Sequence, residues 1–78
     1  MTREELLKEL KQLIIDDEHN WLNKVCPDGS ATNMALQSAV GNMMAREDRL
    51  KEYSDEELEK YYERLKIKVE NKIVEEWE

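Results

Sequence analysis

Residues 29–45 read GSATNMALQSAVGNMMA and contain no charged side chain, although charged residues make up 40% of the chain. Densely charged segments lie on both sides of this stretch. An uncharged helix between two charged helices is usually buried on more than one side, either by its neighbours in the fold or by a second copy of the chain. The pattern therefore predicts a helical protein whose middle helix provides its main contact surface.

The chain has 78 residues, which is enough for one small domain with a core of marginal size. Small domains often gain stability from disulfides, metals or oligomerisation. Because Cys26 is the only cysteine and His19 the only histidine, an internal disulfide is impossible and a Cys/His zinc site is nearly excluded. Oligomerisation is the remaining option, and we expect a homodimer without metal or cofactor.

The net charge is −7 and the isoelectric point is about 4.7. Such a surface repels nucleic-acid phosphates and anionic membranes, whereas it attracts a basic protein. No apolar run reaches the length of about 18 residues that spans a membrane, and the N-terminal segment lacks the apolar core of a signal peptide. We therefore expect a cytoplasmic protein that binds neither nucleic acid nor a membrane directly.

The composition favours helix, since the chain has only two glycines and one proline. We predict an all-α fold, either a three-helix bundle or a helical hairpin plus one helix. It forms a single domain over residues 1–78, with helices at about 3–25, 31–51 and 55–77. Capping boxes begin the first and third helices, at Thr2 with Glu5 and at Ser54 with Glu57. The segment 27–30 is the first turn.

Apolar side chains recur every three or four residues in each helix, and this spacing predicts which of them face the core. The expected core residues are Leu6, Leu10, Leu13, Ile14 and Trp21 in the first helix, Leu36, Ala39, Val40, Met43 and Leu50 in the second, and Leu58, Tyr61, Tyr62, Leu65, Val69 and Ile73 in the third. Asp17 is unusual, because it projects near the apolar face of the first helix.

Two features predict an interface with a second copy or with a partner. The middle helix has small side chains opposite its apolar stripe, where another backbone can approach closely. The third helix has a second apolar seam on its outer side. The expected interface residues are Met34, Ser38, Gly41, Met43, Met44, Ala45, Ile67 and Val74. The alternative is that the middle helix is buried in an ordinary three-helix core.

No catalytic, nucleotide-binding or metal-binding signature is complete in the sequence. Asp16 and His19 have the spacing of metal ligands on one helical face, but metal sites in helical bundles draw such pairs from several helices. Cys26 has no neighbouring base that would stabilise a thiolate. The basic residues at every fourth position from Lys60 to Lys72 are more typical of a salt-bridging flank than of a phosphate site. We therefore expect that the protein is not an enzyme.

The leading functional hypothesis is a small regulatory or inhibitory protein that binds another protein. Its carboxylates would steer it to a basic surface, such as that of a nucleic-acid-binding protein. Compact acidic chains of this kind are typical of host-directed proteins of phages or mobile elements. The expected acidic partner surface comprises Asp48, Glu52, Asp55, Glu56, Glu59 and Glu63. The alternatives are carboxylates that serve only solubility, and a self-assembling structural helical module without a soluble regulatory target.

Overall fold

The computed structural model describes residues 2–26 and 33–74 of the chain. Within these ranges the protein is all-helical and contains no strand. Its helices are α1 (Arg3–Val25), α2 (Asn33–Arg49) and α3 (Asp55–Glu70), and a 3-10 turn (Leu50–Glu52) joins α2 to α3. The predicted all-α fold is confirmed, whereas the predicted turn at 27–30 lies outside the described residues.

Both predicted capping boxes are present. The hydroxyl of Thr2 accepts a hydrogen bond from the backbone N–H of Glu5 at 3.2 Å, and the Glu5 carboxylate accepts one from the backbone N–H of Thr2 at 3.4 Å. Ser54 and Glu57 repeat this exchange at 3.2 and 3.3 Å. These reciprocal bonds satisfy N–H groups that have no partner inside the helix, so they fix where α1 and α3 begin.

α3 ends earlier than the sequence predicts. The apolar periodicity continues beyond residue 70, but the backbone turns there in a Schellman motif. The backbone N–H of Ile73 donates to the carbonyl of Lys68 at 2.9 Å, and that of Lys72 donates to Val69 at 3.1 Å. Lys72 adopts a left-handed conformation with φ of 51°. These bonds satisfy the last carbonyls of the helix, which therefore stops at Glu70.

The early end of α3 removes the predicted outer seam. Ile67 lies on the helix and is 58% exposed. Val74 lies beyond the turn and is half-buried, so it does not continue a helical row from Ile67. Ile73 is exposed rather than part of the core. These two expectations were wrong because both assumed that helical spacing extends past Asn71, whose side-chain amide instead caps the carbonyl of Ile67 at 2.9 Å.

α1 is the central element, and both α2 and α3 pack against it. The buried core consists of Leu6, Leu10, Ile14, Leu50, Leu58 and Leu65. Around this core lie the partly buried side chains of Leu7, Leu13, Met43, Tyr53, Tyr61, Tyr62 and Val69. The core residues predicted for α1 and for the helical part of α3 are therefore largely confirmed.

The inner face predicted for α2 is confirmed only in part, since Ala39, Met43 and the following Leu50 face the core and Leu36 and Val40 do not. Ala39 is its one buried side chain, and Met43 packs against the core from the same side. Leu36 and Val40 are exposed, although the sequence predicts them to face inward. Arg46 lies two helical turns from Ala39, so it shares the side of α2 that faces the core.

The left-handed backbone of Lys72 leads to a prediction about stability. Replacing Lys72 with glycine should raise the free energy of unfolding by about 1 kcal/mol, because glycine has no Cβ that opposes a positive φ. The control Lys60→Gly, in the interior of α3, should lower it by about 1 kcal/mol. Urea denaturation followed by circular dichroism measures both. A loss of stability in Lys72→Gly would contradict the assigned turn.

Candidate functional site

A cluster of polar side chains joins all three helices. Asp17 and Glu18 on α1 are each only 5% exposed. Arg46 on α2 donates to the Asp17 carboxylate at 2.8 Å and to the Glu18 carboxylate at 3.0 Å. Lys68 on α3 donates to the same oxygen of Asp17 at 3.0 Å. Two carboxylates from α1 therefore face one cation from each of the other helices.

Tyr61 completes what we call the Arg46 cluster, formed by Asp17, Glu18, Arg46, Tyr61 and Lys68. The Tyr61 hydroxyl accepts hydrogen bonds from Nε of Arg46 at 3.2 Å and from a terminal nitrogen at 3.0 Å. Burial by itself would lower the pKa of Arg46, but the bonds to Tyr61, Asp17 and Glu18 hold it above its ordinary value. Arg46 is therefore charged at neutral pH.

The geometry of the Arg46 cluster fits a structural role. Within the described ranges, every buried side-chain nitrogen or oxygen has a hydrogen-bond partner. A guanidinium that contacts carboxylates and a hydroxyl together can do so in few orientations, because its donors form a rigid planar fork. The sequence indicated Asp17 by its position near an apolar face. Arg46 was missed, although its spacing from Ala39 and Leu50 places it on the same inner face.

One exposed flank of α2 is apolar. Leu36, Val40 and Met44 are spaced four residues apart and are 43%, 49% and 62% exposed. Because this spacing keeps them on one side of the helix, they form a continuous row, which we call the α2 stripe. Of the methionines predicted at an interface, Met44 lies in this row. Met43 does not, since it packs against the core.

The outermost side of α2, next to the α2 stripe, carries the predicted small residues. Ser38, Gly41 and Ala45 are exposed there beside Met34, which is 80% exposed. A Cβ built on Gly41 meets no atom within 4 Å. Within residues 2–26 and 33–74, no side chain therefore supplies the close packing expected at Gly41. The described part of the chain covers α2 on one side only, which differs from the alternative of a helix buried in an ordinary core.

The six residues of the acidic surface are all exposed. Asp48 lies at the end of α2 and Glu52 in the 3-10 turn, and the other four lie on α3. Asp55 forms an ion pair with Arg3, which also donates to the backbone carbonyl of Tyr53 at 3.0 Å. These contacts join the start of α1 to the start of α3, so Asp55 also helps to hold these two helices together.

The remaining carboxylates of this surface form a row along α3. Glu56, Glu59 and Glu63 are spaced three and four residues apart, so they share the outer side of the helix, away from the buried Leu58 and Leu65. The helix is fixed at its start by the Ser54 cap and along its length by the core. The row is therefore held on a rigid element.

The basic residues of α3 do not act as one row. Lys68 belongs to the Arg46 cluster, and Lys60 lies 3.6 Å from Glu56. Lys66 sits over the ring of Tyr62, 5.8 Å from its centre. The Tyr62 hydroxyl bonds to Glu9 of α1, and this bond raises the pKa of Tyr62. Three of the cations thus serve contacts within the chain.

The residues considered for metal or thiol chemistry are Asp16 and His19, which flank Asp17 and Glu18 on α1, and Cys26, which follows the last residue of α1. Asp16 accepts a hydrogen bond from Gln12 at 3.1 Å, and His19 is exposed. Cys26 is a free, half-buried thiol. Within residues 2–26 and 33–74, no group of three or more acidic, histidine or cysteine side chains could hold a metal ion.

None of the helices in those ranges is both long and apolar enough to cross a membrane.

The chain matches no protein-family model, no curated protein and no solved structure. Its function is therefore inferred from the placement of its own side chains. Two exposed features of the described residues are available for binding. One is the acidic row on α3, and the other is formed by the uncharged outer sides of α2 over residues 33–45.

The Arg46 cluster leads to a prediction about stability. Replacing Arg46 with alanine should lower the free energy of unfolding by about 3 kcal/mol, because it leaves two buried carboxylates facing one lysine. The control Arg49→Ala removes an exposed cation three residues away and should cost less than about 0.5 kcal/mol. Urea denaturation measures both. Similar small losses in the two variants would contradict the assigned role of Arg46.

Gly41 leads to the prediction of a stabilising substitution. Replacing Gly41 with alanine should raise the free energy of unfolding of the dilute protein by about 0.5–1 kcal/mol. The reason is that the added methyl group meets open space while alanine favours helix. Thermal denaturation at low protein concentration checks this. A destabilised Gly41→Ala variant would show that some other chain packs closely against this position even at that concentration.

Proposed function

We propose that the protein is a small, non-enzymatic regulatory or inhibitory protein that binds another protein through the acidic outer side of α3. The observation that carries this proposal is the exposed row of Glu56, Glu59 and Glu63 on a rigid helix. Interspersed lysines would weaken such a row. Lys68 is drawn into the Arg46 cluster at the other side of the helix, whereas Lys60 lies 3.6 Å from Glu56 and offsets part of the charge at that end of the row.

A basic surface is the partner that this row suits best. The whole chain carries a net charge of −7, which accelerates encounter with a basic protein and disfavours other acidic ones. A straight row of carboxylates can occupy a groove that otherwise receives a phosphate backbone. Ile67 lies four residues after Glu63 and is 58% exposed, so it offers an apolar contact at the end of the row.

The proposal includes a cytoplasmic location and an origin as a host-directed protein of a phage or mobile element. A reducing compartment suits a chain whose lone cysteine, Cys26, is a free thiol. A groove-binding inhibitor needs no catalytic residues, cofactor or metal, since it acts by occupying the surface of its target.

A second candidate is a self-assembling helical module without a soluble target. The uncharged outer sides of α2 favour it, because they are exposed on an isolated chain. The two candidate functions assign binding to different helices. The inhibitor depends on the carboxylates of α3, whereas the module depends on the apolar side chains of α2.

Affinity capture from a host lysate tests the proposed function. We expect a basic protein that is retained at low salt and released at high salt, because exposed ion pairs are screened. With that protein, the variant Glu59→Gln/Glu63→Gln should raise the Kd about tenfold, equivalent to about 1.4 kcal/mol. Isothermal titration measures the change.

The matched control is Glu4→Gln/Asp16→Asn, which removes the same charge from α1. It should change the Kd much less, because these carboxylates do not lie on the acidic row. Equal effects of the two variants would show that net charge alone drives binding. Capture that is insensitive to salt would overturn the proposed mechanism.

A further inference from the structure

We propose that α2 pairs with α2 of a second copy of this chain, antiparallel across a two-fold axis, through Leu36, Val40 and Met44 of the α2 stripe. These side chains are between 43% and 62% exposed on a helix whose inner side is fixed by the core and by Arg46. A row of three apolar side chains at four-residue spacing is the arrangement with which one helix packs into the grooves of another.

The distribution of charge on the chain indicates that the surface that packs against the α2 stripe belongs to a second copy. In a two-fold pair only the residues near the axis meet their own copies, so a patch of one charge placed at the axis would face the same charge. A chain with a net charge of −7 therefore has few places where two copies can touch without repulsion. α2 offers such a place, since residues 33–45 carry no charge. The acidic side of α3 would repel its own copy.

The spacing of the α2 stripe sets the direction and register. Val40 lies four residues from both Leu36 and Met44, so an antiparallel pair centred on Val40 places Leu36 of each copy opposite Met44 of the other. The same register places Glu47 opposite Asn33, the first residue of α2. The first turn of α2 contains no acidic residue. The carboxylate of Glu47 therefore faces the positive end of the second helix, which a parallel pair would not achieve.

This pairing does not depend on the proposed basic partner. It uses one flank of α2 and leaves the row of Glu56, Glu59 and Glu63 on α3 open. Because the pair is closed by its two-fold axis, it produces a dimer rather than a filament. Loss of the dimer and loss of partner binding would therefore appear in different variants.

Disulfide crosslinking tests the register. The variants Leu36→Cys and Met44→Cys are each made in the full chain with Cys26→Ser, which removes the native thiol. Under mild oxidation we expect a mixture of the two to form mainly the mixed disulfide dimer. Each variant alone should stay largely monomeric on a non-reducing gel, because its two thiols lie far apart along the antiparallel pair. Efficient crosslinking of each variant alone would overturn the antiparallel register.

Sedimentation velocity over a range of protein concentrations tests the surface itself. The unmodified protein should dimerise as the concentration rises, and Val40→Asp should remain monomeric with an unchanged helical circular dichroism spectrum. The control Ile67→Asp places the same charge on α3, and the control Met34→Asp places it beside the small residues on the outermost side of α2. Both controls should still dimerise. A monomer at all concentrations, or a dimer lost only in Met34→Asp, would overturn the proposal.

Discussion

The hydrogen-bonded ion pairs of Arg46 with Asp17 and Glu18 determine how α2 lies on the rest of the protein. A carboxylate that is withdrawn from water requires partners, because leaving it unpaired costs several kcal/mol (about 3–5 kcal/mol when a buried pair is broken). Arg46 must therefore face α1, and Tyr61 and Lys68 of α3 extend the same network. α2 cannot then turn its most apolar side inward, and its uncharged outer sides stay on the surface.

Much of this fold is predictable from the sequence, because its strongest signals are local. The capping boxes at Thr2 and Ser54 depend on residues three apart, and the core faces of α1 and α3 follow from helical spacing. The rotation of α2 was not predictable in this way. Apolar spacing alone favours Leu36 and Val40 as core residues, whereas a pairing between distant parts of the chain decides the outcome. The end of α3 was missed because a lysine, Lys72, takes the left-handed position that usually indicates glycine.

The candidate sites show the same division between local and tertiary information. The exposed carboxylates of α3 and the lack of charge over residues 33–45 could be read from the sequence, and the structure places them on different helices. The α2 stripe as a whole could not, since the sequence places Leu36 and Val40 in the core and only Met44 at an interface. The resulting protein has a charged helix, α3, suited to a partner of opposite charge, and a helix, α2, whose uncharged segment 33–45 suits its own copy. Both follow from one central helix that holds the other two.

A double-mutant cycle between Asp17 and Arg46 tests this account most directly. Urea denaturation of Asp17→Asn, Arg46→Met and the double variant gives the free energy with which the two side chains are coupled. The account predicts a coupling of at least about 1.5 kcal/mol, because each single change removes one of the partners of a charge that is withdrawn from water. Losses that add to within about 0.5 kcal/mol would show that the two residues act independently, and would contradict the claim that this pair sets the orientation of α2.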